Sequence, residues 1–242
     1  MNEQPTADHG QTAPPTTTSA KLQILSTEHW SLLATRSLTY SESFSRVGMF
    51  LTVLTGAVVS LALLAQVGHF DRTFTLAALL ILSVVFFLGL ATLGRLGTIN
   101  SEDMRWVAGM NRLRRGYLEM HPDLEPYFVT DSYDDIRGVV ISAGYGSGRF
   151  PGQGGLGDAL HGFTTLTAVV GVIVSVIGGV LGALVTNALG APEEVAIGIG
   201  AAVFFATMVV IGFFGSRAFY ATIKAFPSRF PSPTQGARSS GS

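Results

Sequence analysis

The chain has 242 residues, a formal net charge of −1 and no cysteine; 48% of its residues are hydrophobic and only 13% are charged. The near-neutral charge argues against a nucleic-acid-binding protein. The lack of cysteine excludes disulfides and thiolate chemistry.

Residues 1–21 are predicted to form a disordered tail, because they combine several prolines with a run of Thr and Ser. This stretch has no apolar core of the kind an export signal needs, so the first span is expected to insert as an internal signal anchor. A helix is expected to begin at Ser26 or Thr27, to cover 26–46 and to lead into the first span.

Four stretches contain no Asp, Glu, Lys or Arg, and each is about as long as a bilayer is thick. A helix rises about 1.5 Å per residue, so about 20 apolar residues cross the roughly 30 Å hydrocarbon core. The sequence therefore predicts an all-α membrane protein with four transmembrane helices and helical cytoplasmic extensions of the first and second spans. The four stretches are 47–67, 74–94, 163–189 and 195–215.

The first span has small or polar residues four apart at Gly48, Thr52, Gly56 and Ser60. This face is either a second packing face or a mildly polar pore lining. Three acids lie at the short turns between spans, where they are ordinary signals for the start of a helix. The functional alternative is an acidic ring at the outer mouth of an oligomeric pore, formed by Asp71, Glu193 and Glu194.

A second helical arm is predicted over 101–120, continuing the second span. The two arms, 26–46 and 101–120, are predicted to pack on one another, within or between subunits, because their apolar faces are too large to be left in water. The residues expected to be buried there are Trp30, Tyr40, Phe44, Trp106, Met110, Leu113 and Tyr117.

The alternative arrangement lays the 101–120 helix flat on the inner leaflet, with Trp106 among the headgroups. Arg112, Arg114 and Arg115 would then bind the phosphates of anionic lipids. The competing interpretation of these arginines is a solvated helix face or a set of ion pairs between subunits.

The run WVAGMNRLRRGYLE at 106–119, followed by PDLEPYFVT at 122–130, resembles a block in uncharacterised four-pass membrane proteins of GC-rich bacteria. The run EHWSLLATR at 28–36 is similar to the same group. The resemblance implies a four-pass fold and implies no function.

Residues 127–162 are predicted to be a flexible tether, because the second half is rich in glycine. Within it, 127–130 and 138–141 could form short strands, and the acidic segment 131–135 is expected to be a solvated loop rather than a metal site. Tyr145, between two glycines, matches a fragment of the potassium-filter pattern, but it is predicted to lie outside the membrane.

The third span has small residues at the spacing that lets two helices approach closely. The partner is either the fourth span or another subunit, and a complementary row on the fourth span, Gly198, Ala202 and Ala206, favours the fourth span. The predicted packing residues on the third span are Gly171, Ser175, Gly178, Gly179 and Gly182.

Three prolines after the fourth span predict its end, so we expect one domain over 22–227 and a disordered tail over 228–242. Of the 15 Lys and Arg residues, only Arg72 lies in the short turns 68–73 and 190–194. Positive residues near span ends stay inside. Both termini and the central connection are therefore expected to be cytoplasmic, in the inner (plasma) membrane of a bacterium.

The five histidines are scattered, and none has metal-ligand spacing or a nucleophile nearby in sequence. The sequence thus predicts no catalytic residues, no cofactor and no metal, and we expect a protein that is not an enzyme. The two functional hypotheses are a homo-oligomeric channel or pore and a non-conducting scaffold or regulatory subunit. The scaffold would bind a partner through the cytoplasmic arms.

Overall fold

The structure, a computed structural model, describes residues 15–68, 71–144 and 165–233. Five α-helices and one 3-10 helix account for most of these residues, and no strand occurs among them. The helices are α1 (Pro15–Gly68), α2 (Arg72–Met120), α3 (Ile136–Ser142), α4 (Leu166–Ala188) and α5 (Glu193–Ala225), with the 3-10 helix at Pro122–Tyr127.

Helices α1, α2, α4 and α5 are each long and apolar enough to cross a membrane. The predicted fold class, an all-α protein with four membrane-spanning helices, is confirmed. Helices α1 and α2 run well beyond bilayer thickness, with 54 and 49 residues. The extensions predicted for the first two spans are therefore parts of the same helices.

Helix α1 begins at Pro15 and not at residue 26 or 27, so the part of the predicted tail at 15–21 is helical. Proline is favoured at the first position of a helix because its missing N–H would have no partner there. Residues 138–141, considered above as a strand, lie within α3, which Asp135 caps by accepting a hydrogen bond from the Gly138 amide at 2.8 Å.

The four long helices pack as a series of neighbours: α1 on α2, α2 on α4, and α4 on α5. The contact between α4 and α5 is the most extensive. Between the spans lies an apolar core centred on α2 and α4, in which Val170 and Val174 are fully buried. Its other buried members include Val47, Phe50, Leu82 and Val85.

A second, smaller core lies outside the spans. It joins Val107 and Met110 of α2 to Val139 of α3, with Leu32 of α1 and Phe226 packed against them. In the structure the two arms are longer than predicted, and from here on the name covers 18–46 of α1 and 95–120 of α2. The arms, the 3-10 helix, α3 and residues 219–232 together form what we call the module.

Candidate functional surfaces

The two arms pack as an antiparallel hairpin through a face of α1 that differs from the predicted one. Leu25 lies over Gly116 and Leu32 over Gly109, since a Cβ built on each glycine would be 3.4 and 3.2 Å from the leucine methyl. The absence of side chains at these glycines makes room for the leucines. His29 is half-buried between these two contacts.

Trp30 and Phe44 are 68% and 64% exposed, and Tyr40 is exposed as well. Within one chain, the prediction that these three side chains are buried between the arms is therefore corrected. The face of α1 that contacts α2 is shifted by about one residue from the predicted face. At this face Leu25 and Leu32, and not the larger aromatic rings, lie over the glycines of α2. Burial of the three aromatic residues between subunits stays a prediction.

On α2, Met110 is buried at 3% exposure, and Trp106, Leu113 and Tyr117 are half-buried. The rings of His29 and Tyr117 are 6.1 Å apart. Among the described residues, His29 Nδ1 and Trp106 Nε1 are buried without a hydrogen-bond partner. Burial, followed by the nearby charge of Arg114, lowers the pKa of His29 below its usual 6.5.

Ion pairs tie the arms together just outside the spans. Arg36 Nε donates to Asp103 Oδ1 at 2.7 Å, and the second carboxylate oxygen accepts from Arg36 Nη2 at 3.3 Å. Glu42 accepts from Arg95 at 2.9 Å and from Arg46 at 2.8 Å. These hydrogen bonds, the one from Arg95 first, lower the pKa of Glu42 to about 2.

The pair between Glu42 and Arg46 is visible in the sequence as two residues four apart, whereas the pair between Arg36 and Asp103 joins residues 67 apart. The only sequence signal for it is that Asp103 interrupts an otherwise apolar face of α2. An acid in such a place indicates that a basic partner comes from another helix.

A buried carboxylate holds the chain that follows α5. Asp134 accepts hydrogen bonds from the Ser228 hydroxyl at 2.6 Å and from the amides of Arg229 and Phe230 at 2.9 and 2.7 Å. Arg112 supplies the positive charge through Nε at 2.5 Å. Burial of Asp134 opposes its ionisation, but these hydrogen bonds together hold its pKa below the usual value.

Asp135 completes the contact: its second oxygen accepts from the amide of Ser232 at 2.9 Å and from the Ser232 hydroxyl. Residues 131–135 are therefore not a solvated loop, because the carboxylates of Asp134 and Asp135 are buried against the chain end. The predicted disordered tail at 228–242 is likewise corrected at its start, since 228–232 are held by these hydrogen bonds.

The three arginines considered for lipid have partners in the module. Arg112 binds Asp134 and the Pro227 carbonyl, Arg114 donates to the Asn111 side chain at 2.7 Å, and Arg115 lies 3.8 Å from Glu119. Because α2 continues unbroken from its span and packs along α1, the structure favours packed arms over a helix lying flat on the membrane.

The small residues of α4 lie against α5. A Cβ on Gly179 would be 2.9 Å from the Gly200 carbonyl oxygen, and one on Gly182 would be 2.9 Å from a Val203 methyl. Gly178 faces Phe86 of α2 and Thr207 of α5. Gly171 and Ser175 are buried on the same helix.

The partner row on α5 differs from the predicted one. Gly198, Ala202 and Ala206 are exposed, and a Cβ on Gly198 would meet nothing within 4 Å. The contacts come instead from Gly200, Val203 and neighbouring residues of the adjacent face. Gly200 is the small residue that packs, and it lies on the same face as the larger Val203 and Phe204, so a search for small residues alone does not find this face.

The stripe on the first span faces away from the other helices. Thr52, Gly56 and Ser60 are exposed, and the hydroxyls of Thr52 and Ser60 each donate to the carbonyl four residues earlier at 2.8 Å. At the short turns, Asp71 caps α2 by accepting from the Phe74 amide, and Glu193 and Glu194 are exposed in the first turn of α5. One chain alone thus contains neither a pore lined by this stripe nor a ring of acids.

The segment that follows α2 exposes apolar side chains. Tyr127 is 78% exposed and Val129 is 99% exposed, with the partly exposed Leu124 beside them in sequence. Asp123 and Glu125 give the same segment a negative charge. Sequence reasoning assigned the part from residue 127 onward to a flexible tether and did not identify this segment as a candidate surface.

Tyr145 and most of the glycine-rich part of the predicted tether lie outside the described residues, as do three of the five histidines. In the part of the chain that is described, no group of three His, Cys, Asp or Glu residues is placed to hold a metal ion. Comparison with protein-family models, with curated proteins and with solved structures gave no match to this chain.

Proposed function

We propose that this protein is a scaffold or regulatory subunit of a bacterial plasma membrane, anchored by four spans, that binds a protein partner through a cytoplasmic module. The distribution of basic residues supports the orientation, since only Arg72 of the 15 Lys and Arg residues lies in the short outer turns. The resemblance to four-pass proteins of GC-rich bacteria remains part of this proposal.

The observation that carries the proposal is the exposure of three apolar side chains that are close together in sequence, Leu124, Tyr127 and Val129. Met120 ends α2 about 39 Å beyond the end of the second span at Gly94, at about 1.5 Å per residue. If the arms stand upright, lipid does not reach this surface. Exposed apolar residues with a polar rim are typical of protein interaction sites, and the neighbouring acids favour a partner with a basic surface.

The construction of the module also supports a binding platform. Arg36 with Asp103, and Glu42 with Arg95, tie the arms together, and Asp134 fastens the chain end to α2 and α3. A partner bound at Tyr127 would therefore meet a surface whose position relative to the membrane is fixed. Rigid presentation lowers the conformational cost of binding.

A photo-crosslinking amino acid at Tyr127, in cells, tests the proposal. The matched control is the same amino acid at Glu119, an exposed position at the same end of α2. We expect a discrete adduct at 127 that is absent at 119 and that is lost when Val129 is changed to Ser. Equal labelling at both positions would contradict a partner-binding surface there.

The channel hypothesis remains the second candidate, and the outward stripe of Thr52, Gly56 and Ser60 supports it. In a ring of copies, these hydroxyls could face a central pore. Purified protein in liposomes would then pass ions at a rate that Gly56→Leu reduces. The scaffold proposal predicts a flux no greater than that of protein-free liposomes.

A further inference from the structure

A partly open cavity lies where the spans meet the module. It has a volume of about 590 Å³ and is lined by residues of α2, α3, α4 and α5. Gly171 of α4 and Met208 of α5 line the part that lies within the spans. Met104, Val140 and Phe219 line it on the side of the module. Because small-molecule sites usually measure about 300–1,000 Å³, this cavity is large enough for a ligand.

The polarity of the lining matches the boundary of a bilayer. Among the described residues that line the cavity, none is charged. Four of them are polar, and they lie near the level at which the spans end: Asn100, Thr165, Thr167 and Ser216. The positions deeper within the spans are apolar. A ligand that fits this lining is apolar along most of its length and has hydrogen-bonding groups near the membrane surface.

Other occupants fit this cavity less well. Water is a poor occupant of the deep part, because a buried water needs several polar partners and apolar cavities stay dry. An α-helix of another chain is about 10–12 Å across with its side chains, so about one turn of it would fill the whole volume. The hydrocarbon chains of lipids surround the spans and reach the cavity directly.

We propose that the cavity binds one acyl chain of a phospholipid from the leaflet on the module side. The chain contacts Met104 and Met208, whose flexible thioethers adapt to irregular apolar surfaces. The ester groups of the lipid lie among the hydroxyls at the end of the spans. Arg217 follows Ser216 on α5 and is exposed, so a positive charge is available to the lipid phosphate just outside the hydrocarbon.

The cavity also connects the bilayer to the module. Met104 belongs to the small core of the module, and Phe219 packs against that core. A bound acyl chain therefore forms part of the contact between this core and the spans. This proposal goes beyond the scaffold function and does not depend on a partner at Tyr127.

Native mass spectrometry of the protein, purified in a mild detergent, tests the proposal. Gly212→Leu fills part of the cavity, because Gly212 lines it and a Cβ there would meet nothing within 4 Å. Gly198→Leu is the matched control, since it makes the same change in open space on the same helix, at a position that does not line the cavity. We expect one phospholipid per chain in the wild type and in the control, and several-fold less in Gly212→Leu.

A second measurement uses the wild-type chain and needs no substitution. A phospholipid with a photoreactive diazirine in its acyl chain, added to membranes that contain the protein, should form an adduct with Met104. This residue is buried and lies about 15 Å beyond the end of the second span at Gly94, where bulk lipid does not reach it. The exposed Phe213 of α5 reports contact with bulk lipid.

Four outcomes count against the proposal. A wild-type protein without bound phospholipid, equal retention in Gly212→Leu and Gly198→Leu, or adducts at Phe213 with none at Met104 would each overturn the site. A retained molecule of another class would overturn its assignment to a phospholipid.

Discussion

Replacing Gly179 by alanine tests how tightly α4 and α5 are packed. The added Cβ would lie 2.9 Å from the carbonyl oxygen of Gly200 and 3.1 Å from the Cβ of Phe204. Neither neighbour is the flexible end of a side chain, so the two helices must move apart. Inserting a methyl group into a close-packed contact costs about 1–3 kcal/mol, and 1.4 kcal/mol is about a tenfold change in the unfolding equilibrium.

The assay is reversible unfolding in mixed micelles, followed by the helical circular dichroism signal. Gly198→Ala is the matched control, because it makes the same substitution on α5 where a Cβ would meet nothing within 4 Å. This control is expected to be neutral or slightly stabilising, since alanine favours the helix over glycine by up to about 1 kcal/mol. If Gly179→Ala unfolds no more easily than Gly198→Ala, the close approach of α4 and α5 is refuted.

Two further predictions concern the module. Asp134→Asn leaves Arg112 without its carboxylate, and removing one partner of a buried pair costs about 3–5 kcal/mol. Amide hydrogen exchange at Arg229 and Phe230 should become fast, because both amides donate to Asp134. Unchanged protection of these amides would contradict the role of Asp134. The lowered pKa of His29 means that its contribution to stability is present above pH 6.5 and is lost as the pH falls through the lowered value. The exchange protection factors in the α1 arm, which correct for the intrinsic slowing of exchange by acid, should therefore fall on acidification below pH 6.5. His29→Gln should abolish this fall; an equal fall in the variant would assign the effect to another group.

The spans could be predicted from the sequence because bilayer thickness alone requires about 20 uncharged apolar residues. The contacting face of α1 could not be chosen in the same way. Trp30 and Phe44 carry the larger apolar area, but the hairpin packs through Leu25 and Leu32 because α2 offers glycines opposite them. A single helix does not reveal which face its neighbour is shaped to receive.

The contact between Asp134 and residues 228–230 could not be predicted from the sequence for a different reason. Asp134 and Ser228 are 94 residues apart, and each lies in a segment typical of a loop: Asp134 in a short polar, acidic run and Ser228 among three prolines. The sequence shows the buried carboxylate only as one of three acids in a short run. Its burial follows from the position of α5 beside α2, which only the tertiary structure defines.

The most direct test of the scaffold proposal is the side of the membrane on which the module lies. Arg72→Cys, at the first residue of α2, and Tyr127→Cys, at the end of the 3-10 helix, are both at exposed positions. With a membrane-impermeant maleimide on intact cells, we predict that Arg72→Cys is labelled and that Tyr127→Cys is labelled only after permeabilisation. Labelling of Tyr127→Cys in intact cells would place the module outside and contradict a cytoplasmic scaffold.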